Sequence, residues 1–133
     1  MKVTKKKAYL LLSGIILMLV GGYISISPNS YLNQFGLRVD SNINFFSDLR
    51  SMGGCLFIFG LIALAGSIIK RIEDAAIMAS LAVFGSYSIF RIAAIVLDGI
   101  PGTAILGAIG IEIIFAILGL ALLITNPKQK ILV

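Results

Sequence analysis

Four apolar stretches, each about as long as a membrane-crossing helix, constrain this chain more than any other feature. A helix needs ~20 mostly apolar residues to span the hydrocarbon layer. Ala8 to Ser27, Leu49 to Ile69, Ala75 to Leu97 and Ala104 to Thr125 each meet that requirement. Together they occupy most of the 133 residues, which points to a single domain over 1–133: an all-α, four-helix transmembrane bundle. A transmembrane barrel is excluded, because segments such as LLLSGIILMLVGG and AIMASLAVFG do not alternate apolar and polar residues. Lipid also satisfies no backbone group, so helices are the remaining way across.

The distribution of charge fixes the expected orientation. Lys2, Lys5, Lys6 and Lys7 precede the first span, Lys70 and Arg71 follow the second, and Lys128 and Lys130 follow the fourth. Four crossings put all three clusters on one side, where Glu73 and Asp74 are the accompanying acids. By the positive-inside rule that side is cytoplasmic, with both termini inside. The expected location is therefore the inner (cytoplasmic) membrane of a bacterium, as a multi-pass protein. The net charge of +5 sits at span ends rather than on a basic face, so nucleic acid is not an expected partner. The first span is read as a retained helix, because its apolar run exceeds the ~7–15 residues of a signal core. Cys55, the single cysteine, is expected to be a small apolar core residue. With no histidine in the chain, it also lacks the usual base.

The first outer loop, Pro28 to Asp48, is patterned. Ser27 suits an N-cap, Pro28 a first helical position and Gly36 the residue past a helix end. Tyr31, Leu32 and Phe35 would share one face, which predicts a short helix lying on the outer surface. Phe45 and Phe46 read as interface anchors before Ser47 and Asp48 open the second span. The short Lys70 to Asp74 link makes the second and third spans antiparallel neighbours, and the DGIPGT turn from Asp98 to Thr103 makes a hairpin of the third and fourth. Glycines recur in the first, second and fourth spans, where they permit close helix approach.

Two charges lie deep inside the spans, Arg91 in the third and Glu112 in the fourth. A charge at membrane depth costs from ~2.5 kcal/mol upward and usually faces a partner or a water-filled cavity. At 1.5 Å per residue, Arg91 lies ~10 Å and Glu112 ~13 Å below the outer end of the hairpin, so the two can pair. Tyr87, Ser88 and Asp98 fall near the Arg91 face, and Arg50 opens the second span. Asp98 ends its helix, where the dipole disfavours an acid, and Arg50 is the natural cation to offset it. The candidate ligand-binding set is Arg50, Tyr87, Ser88, Arg91, Asp98 and Glu112, with Asp48 beside it. The competing reading is a closed Arg91–Glu112 strut. A buried pair is often no more stabilising than apolar packing, which favours a site.

The segments LRSMGGCLFIFGL (Leu49 to Leu61), FRIAAIVLDGIPG (Phe90 to Gly102) and GIEIIFAILGLALL (Gly110 to Leu123) resemble a family of small four-span bacterial membrane proteins known only as a domain of unknown function. The resemblance rests on Leu-Arg-x-x-Gly-Gly, Arg-x6-Asp-Gly-x-Pro and a glutamate in the fourth span. It implies a four-helix bundle in a bacterial inner membrane and carries no activity or ligand across. From the residues themselves, three classes of function follow. The first is a module that binds a small anionic or amphiphilic ligand or a lipid headgroup. The second is a structural or accessory subunit, in a homo-oligomer or with another membrane protein. The third is a small proton-coupled transporter with Glu112 as the carrier. Membrane lipids are the expected surroundings and no cofactor or metal is implied. The usual nucleophile and acid-base sets are missing, so an enzyme is the least supported reading.

Overall fold

The computed structural model describes residues 3–125, so Lys2, Lys128 and Lys130 lie outside the described residues. The architecture is all-helical: α1 (Lys5–Ile26), a single-turn surface helix α2 (Pro28–Asn33), α3 (Ile43–Ile68), a 3-10 turn (Lys70–Ile72), α4 (Glu73–Asp98) and α5 (Thr103–Ile124). Four of these are long and apolar enough to cross a membrane. The loop carrying α2 and the turn between α4 and α5 lie at one end of the bundle, here termed the loop end.

Helix boundaries follow local capping chemistry. The Thr4 hydroxyl accepts from the Lys7 amide at 3.2 Å and starts α1, so Lys5 to Lys7 form its first turn instead of preceding the span. The second span begins six residues before the expected Leu49. The Asn42 side chain accepts from the Phe45 amide at 3.2 Å and caps α3, which places Phe45, Phe46, Ser47 and Asp48 inside the helix. Asn42 thus takes the capping role expected of Ser47, and Asn is as good a cap as Ser. Glu73 and Asp74 occupy the first turn of α4, where acids complement the dipole.

The predicted surface helix is present. Pro28 takes its first position, although Ser27 makes no side-chain capping bond. It ends in a Schellman arrangement. Gly36 adopts φ +70°, its amide reaches Asn33 O at 3.1 Å, and the Leu37 amide reaches Leu32 O at 3.2 Å. Leu32 is buried, and Tyr31 stacks edge-on against Phe35 at 5.1 Å.

Packing is unequal around the bundle. The α1–α3 seam is the most extensive contact, followed by α4–α5 and α3–α4. The α1–α3 crossing is so close that a Cβ on Gly21 would lie 2.5 Å from Gly53 O, and one on Gly60 would lie 2.8 Å from Gly14 O. Glycine is required there because backbone meets backbone. By contrast Gly107 and Gly110 on α5 meet nothing within 4 Å, and only Ile109 and Gly119 of that helix are buried. Cys55 is exposed on the outer face of α3, not in the core as expected, because its neighbours Gly53 and Leu56 take the inward positions. One apolar cluster toward the loop end includes Leu17, Ile24, Leu56, Val83 and Phe84, and a second includes Tyr9, Leu10, Ala63 and Ile77. Phe115 joins them, lying 4.9 Å from the Phe84 ring and 5.8 Å from Tyr9.

At the opposite end Lys6 Nζ contacts Asp74 Oδ1 at 2.6 Å, tying α1 to α4. An ion pair this open to solvent is worth at most about 1 kcal/mol. Lys6→Ala is therefore expected to lower the melting temperature by only a few degrees, measured in detergent at low salt, with the difference vanishing at high salt.

Candidate functional site

The charges within the spans meet as their depths imply. The α4–α5 hairpin closes through Gly99, at φ +103°, and brings Arg91 Nε to 3.1 Å from Glu112 Oε1 and 3.0 Å from Oε2. The Glu112 side chain is 13% exposed and that of Arg91 27%, so the pair lies largely between the two helices. One turn deeper on α4, the Tyr87 ring sits 5.5 Å beneath the Arg91 guanidinium, a separation at which the ring quadrupole attracts the cation. Tyr87 itself packs against the loop-end core, as does Tyr31 of α2.

The other sequence candidates separate from this pair. Ser88 is buried and its hydroxyl donates to Phe84 O at 2.8 Å, the common satisfaction of a helix serine by the carbonyl four residues back. Asp98 is exposed at the end of α4, and among the described residues it has no ion pair. The expected Arg50–Asp98 partnership is not formed. Arg50 turns instead to the α1–α3 seam, where Nη1 donates to Ser25 O and, at 3.4 Å, to Ile26 O. The physical reason is the end of α1, whose last carbonyls have no intrahelical donors and draw the guanidinium. The Ser25 hydroxyl returns a bond to Arg50 O at 2.9 Å, so the two helices are laced in both directions.

Arg50 also borders a cleft of about 460 Å³ formed with Pro28, Asn29, Ser41, Ile43, Phe46 and Ser47. On the other side of the Arg50–Ser25 link lies a groove of about 390 Å³ lined by Gly22, Ser25, Ile26, Gly54, Phe57 and Ile58. Nη2 and Nε of Arg50 have no protein partner among the described residues. Sequence reading missed these cavities because it began the second span at Leu49. Once α3 starts at Ile43, residues 43, 47, 50, 54 and 58 recur at helical spacing and fall on one face. Among the described residues no group of three or more Cys, Asp or Glu side chains is placed to hold a metal ion.

The family described as a domain of unknown function, DUF4345, matches residues 6–123. The chain belongs to that family. Neither the curated proteins nor the solved structures contain a match. In this DUF4345 chain the Leu-Arg-x-x-Gly-Gly segment acquires a physical meaning. Leu49 is core, Arg50 bridges to the end of α1, Gly53 is a backbone crossing point and Gly54 lines the groove. The Arg-x6-Asp-Gly-x-Pro segment and Glu112 build the other feature, a hairpin locked by its own ion pair.

Proposed function

We propose that this DUF4345 protein is a membrane-embedded binding module for an anionic group, received at the loop end by Arg50. The observation that carries this reading is the contrast between the two arginines. Arg91 has its countercharge in Glu112, whereas Arg50 has no carboxylate partner among the described residues and borders a cleft with Asn29, Ser41 and Ser47. Carbonyl oxygens accept its Nη1 hydrogen bonds but do not cancel its charge. The remaining donors of the guanidinium fork suit a carboxylate or phosphate. With the basic ends of the bundle cytoplasmic, the cleft faces the opposite side of a bacterial inner membrane.

The role of Arg91, Glu112 and Tyr87 in this reading is to hold α4 on α5 at matching depth, keeping the loop-end half of the bundle in one arrangement. Ser88 and Asp98 are not required to touch the ligand. The accessory-subunit reading draws on α5, whose open Gly107 and Gly110 face would accept another helix. Proton transport draws less support, since Glu112 is engaged by Arg91 and would have to leave it to carry a proton.

The test is calorimetric titration of the protein in a neutral maltoside detergent with dodecyl phosphate and, as the same chain without net charge, dodecylphosphocholine. Hydrogen bonds to charged groups contribute about 1.5–3 kcal/mol, so Arg50→Gln is expected to weaken dodecyl phosphate at least tenfold. Dodecylphosphocholine is expected to bind weakly to both proteins. Equal affinity for the two ligands in the wild type, or an unchanged affinity in Arg50→Gln, contradicts the reading.

A further inference from the structure

We infer that the ligand is an amphiphile whose chain lies in the groove between α1 and α3, beneath the anion held at Arg50. The inference rests on the reading of Arg50 as the anion-binding residue and adds the chemical class of what is bound. Its basis is the arrangement of the two cavities. The cleft is bordered by the polar side chains of Asn29, Ser41, Ser47 and Arg50 together with apolar Pro28, Ile43 and Phe46. The groove on the other side of the Arg50–Ser25 link is walled by Gly22, Ile26, Gly54, Phe57 and Ile58, with Ser25 as its one polar residue. The Ser25 hydroxyl is already committed to Arg50 O. A cleft of mixed lining that carries an arginine and three polar side chains, and an almost wholly apolar groove, therefore follow one another along a single seam, with a cation at the junction.

The direction of the seam suits an amphiphile entering from the membrane. Arg50 sits two turns inside the start of α3, and Gly54 and Ile58 follow one and two turns deeper toward the middle of the span. From Arg50 to Ile58 the helix rises ~12 Å, enough to lay the upper part of an alkyl chain parallel to α3. A water-soluble anion would use the cleft and leave the groove unused. An anionic amphiphile uses both, and its charge complements an arginine that the protein leaves without a carboxylate.

Two glycines give the groove its depth, and they differ from the glycines of the crossing. A Cβ built on Gly54 meets only Ser25 Oγ, at 3.8 Å, and one on Gly22 meets only the Phe57 ring, at 3.6 Å. These are ordinary contacts, so a Cβ at either position fits without driving the helices apart, and a longer side chain built on it extends into the groove that both residues line. Gly21 and Gly53, one residue away on each helix, allow no such addition because their added Cβ atoms would strike backbone at 2.5 Å and 2.7 Å. The groove can thus be filled while the seam is left intact.

The experiment compares dodecyl phosphate with butyl phosphate, which has the same head and too little chain to occupy the groove, on wild type, Gly54→Leu, Gly22→Leu and Arg50→Gln in one neutral maltoside detergent. Partition into micelles is the same for every variant, so affinity ratios between proteins report the site. Filling the groove is expected to weaken dodecyl phosphate at least tenfold and to leave butyl phosphate unchanged, while Arg50→Gln weakens both. Retained butyl phosphate binding shows that the groove variants are folded. Unchanged dodecyl phosphate affinity in both groove variants overturns the chain-binding inference and leaves the anion site standing. Failure of both alkyl phosphates on wild type overturns the anion site itself. Loss of both ligands in both groove variants contradicts a head site separable from a chain site and overturns the inference as well.

Discussion

Gly53→Leu is expected to abolish the folded protein, whereas Gly54→Ala beside it is expected to leave the fold intact or slightly firmer. A Cβ at Gly53 would lie 2.7 Å from Gly21 O and 2.8 Å from the Ser25 amide, both backbone atoms of α1 that no rotamer change can move. Inserting bulk into a packed interface costs about 1–3 kcal/mol even when side chains can yield, and here α1 and α3 must separate along the most extensive contact of the bundle. Separation also breaks the Arg50 bonds to the end of α1 and the Ser25 bond to Arg50 O. Lipid offers no hydrophobic drive to bring the helices back, because association within the bilayer depends on close packing. At Gly54 the added methyl meets only Ser25 Oγ at 3.8 Å, and replacing a helical glycine by alanine gains up to about 1 kcal/mol. Size-exclusion chromatography and thermal melting in one detergent check both. A monodisperse Gly53→Leu protein with unchanged melting contradicts the tight crossing.

The second large effect belongs to the ion pair. Glu112→Ala is expected to destabilise the protein by up to about 3–5 kcal/mol, the cost of leaving one member of a buried pair without its partner, with the partial exposure of Arg91 setting the lower end. Arg91 would lose its carboxylate partner and keep the Tyr87 ring beneath it. Arg91→Ala is expected to cost a similar amount, because the Glu112 carboxylate is the more enclosed member. The double variant Arg91→Met with Glu112→Leu removes both charges at similar volume and is expected to recover most or all of the loss. Unfolding in a denaturing detergent titration measures all three. Additive losses in the double variant, with no recovery, would show that the two residues act independently despite their 3.0 Å approach.

These outcomes separate what the sequence makes legible from what it does not. The four helices follow from length and hydropathy, and the Arg91–Glu112 contact follows from one hairpin and two similar depths. The surface helix was legible through Pro28 and Gly36, because a fixed φ and a positive φ are properties of single residues. The destination of Arg50 was not, since it depends on which helix lies beside α3 and where that helix ends. Glycines mark α1, α3 and α5 alike, yet backbone contact occurs at Gly21, Gly53 and Gly60 and not at Gly107 or Gly110. Composition says that close approach is allowed; pairing decides where it is used. The start of α3 was misplaced by one cap choice, and that error hid the face on which Ile43, Ser47, Arg50, Gly54 and Ile58 align.

Native mass spectrometry separates Arg50, proposed to hold the ligand, from Arg91, which braces the α4–α5 hairpin. Wild type, Arg50→Gln, and the Arg91→Met with Glu112→Leu double variant are released from neutral maltoside detergent containing equal amounts of dodecyl phosphate and dodecylphosphocholine. The predicted spectrum shows a dodecyl phosphate adduct on the wild type and on the double variant, and its loss on a folded Arg50→Gln protein. An adduct that persists in Arg50→Gln and disappears from the double variant would contradict the Arg50 site and return the ligand to Arg91 and Glu112.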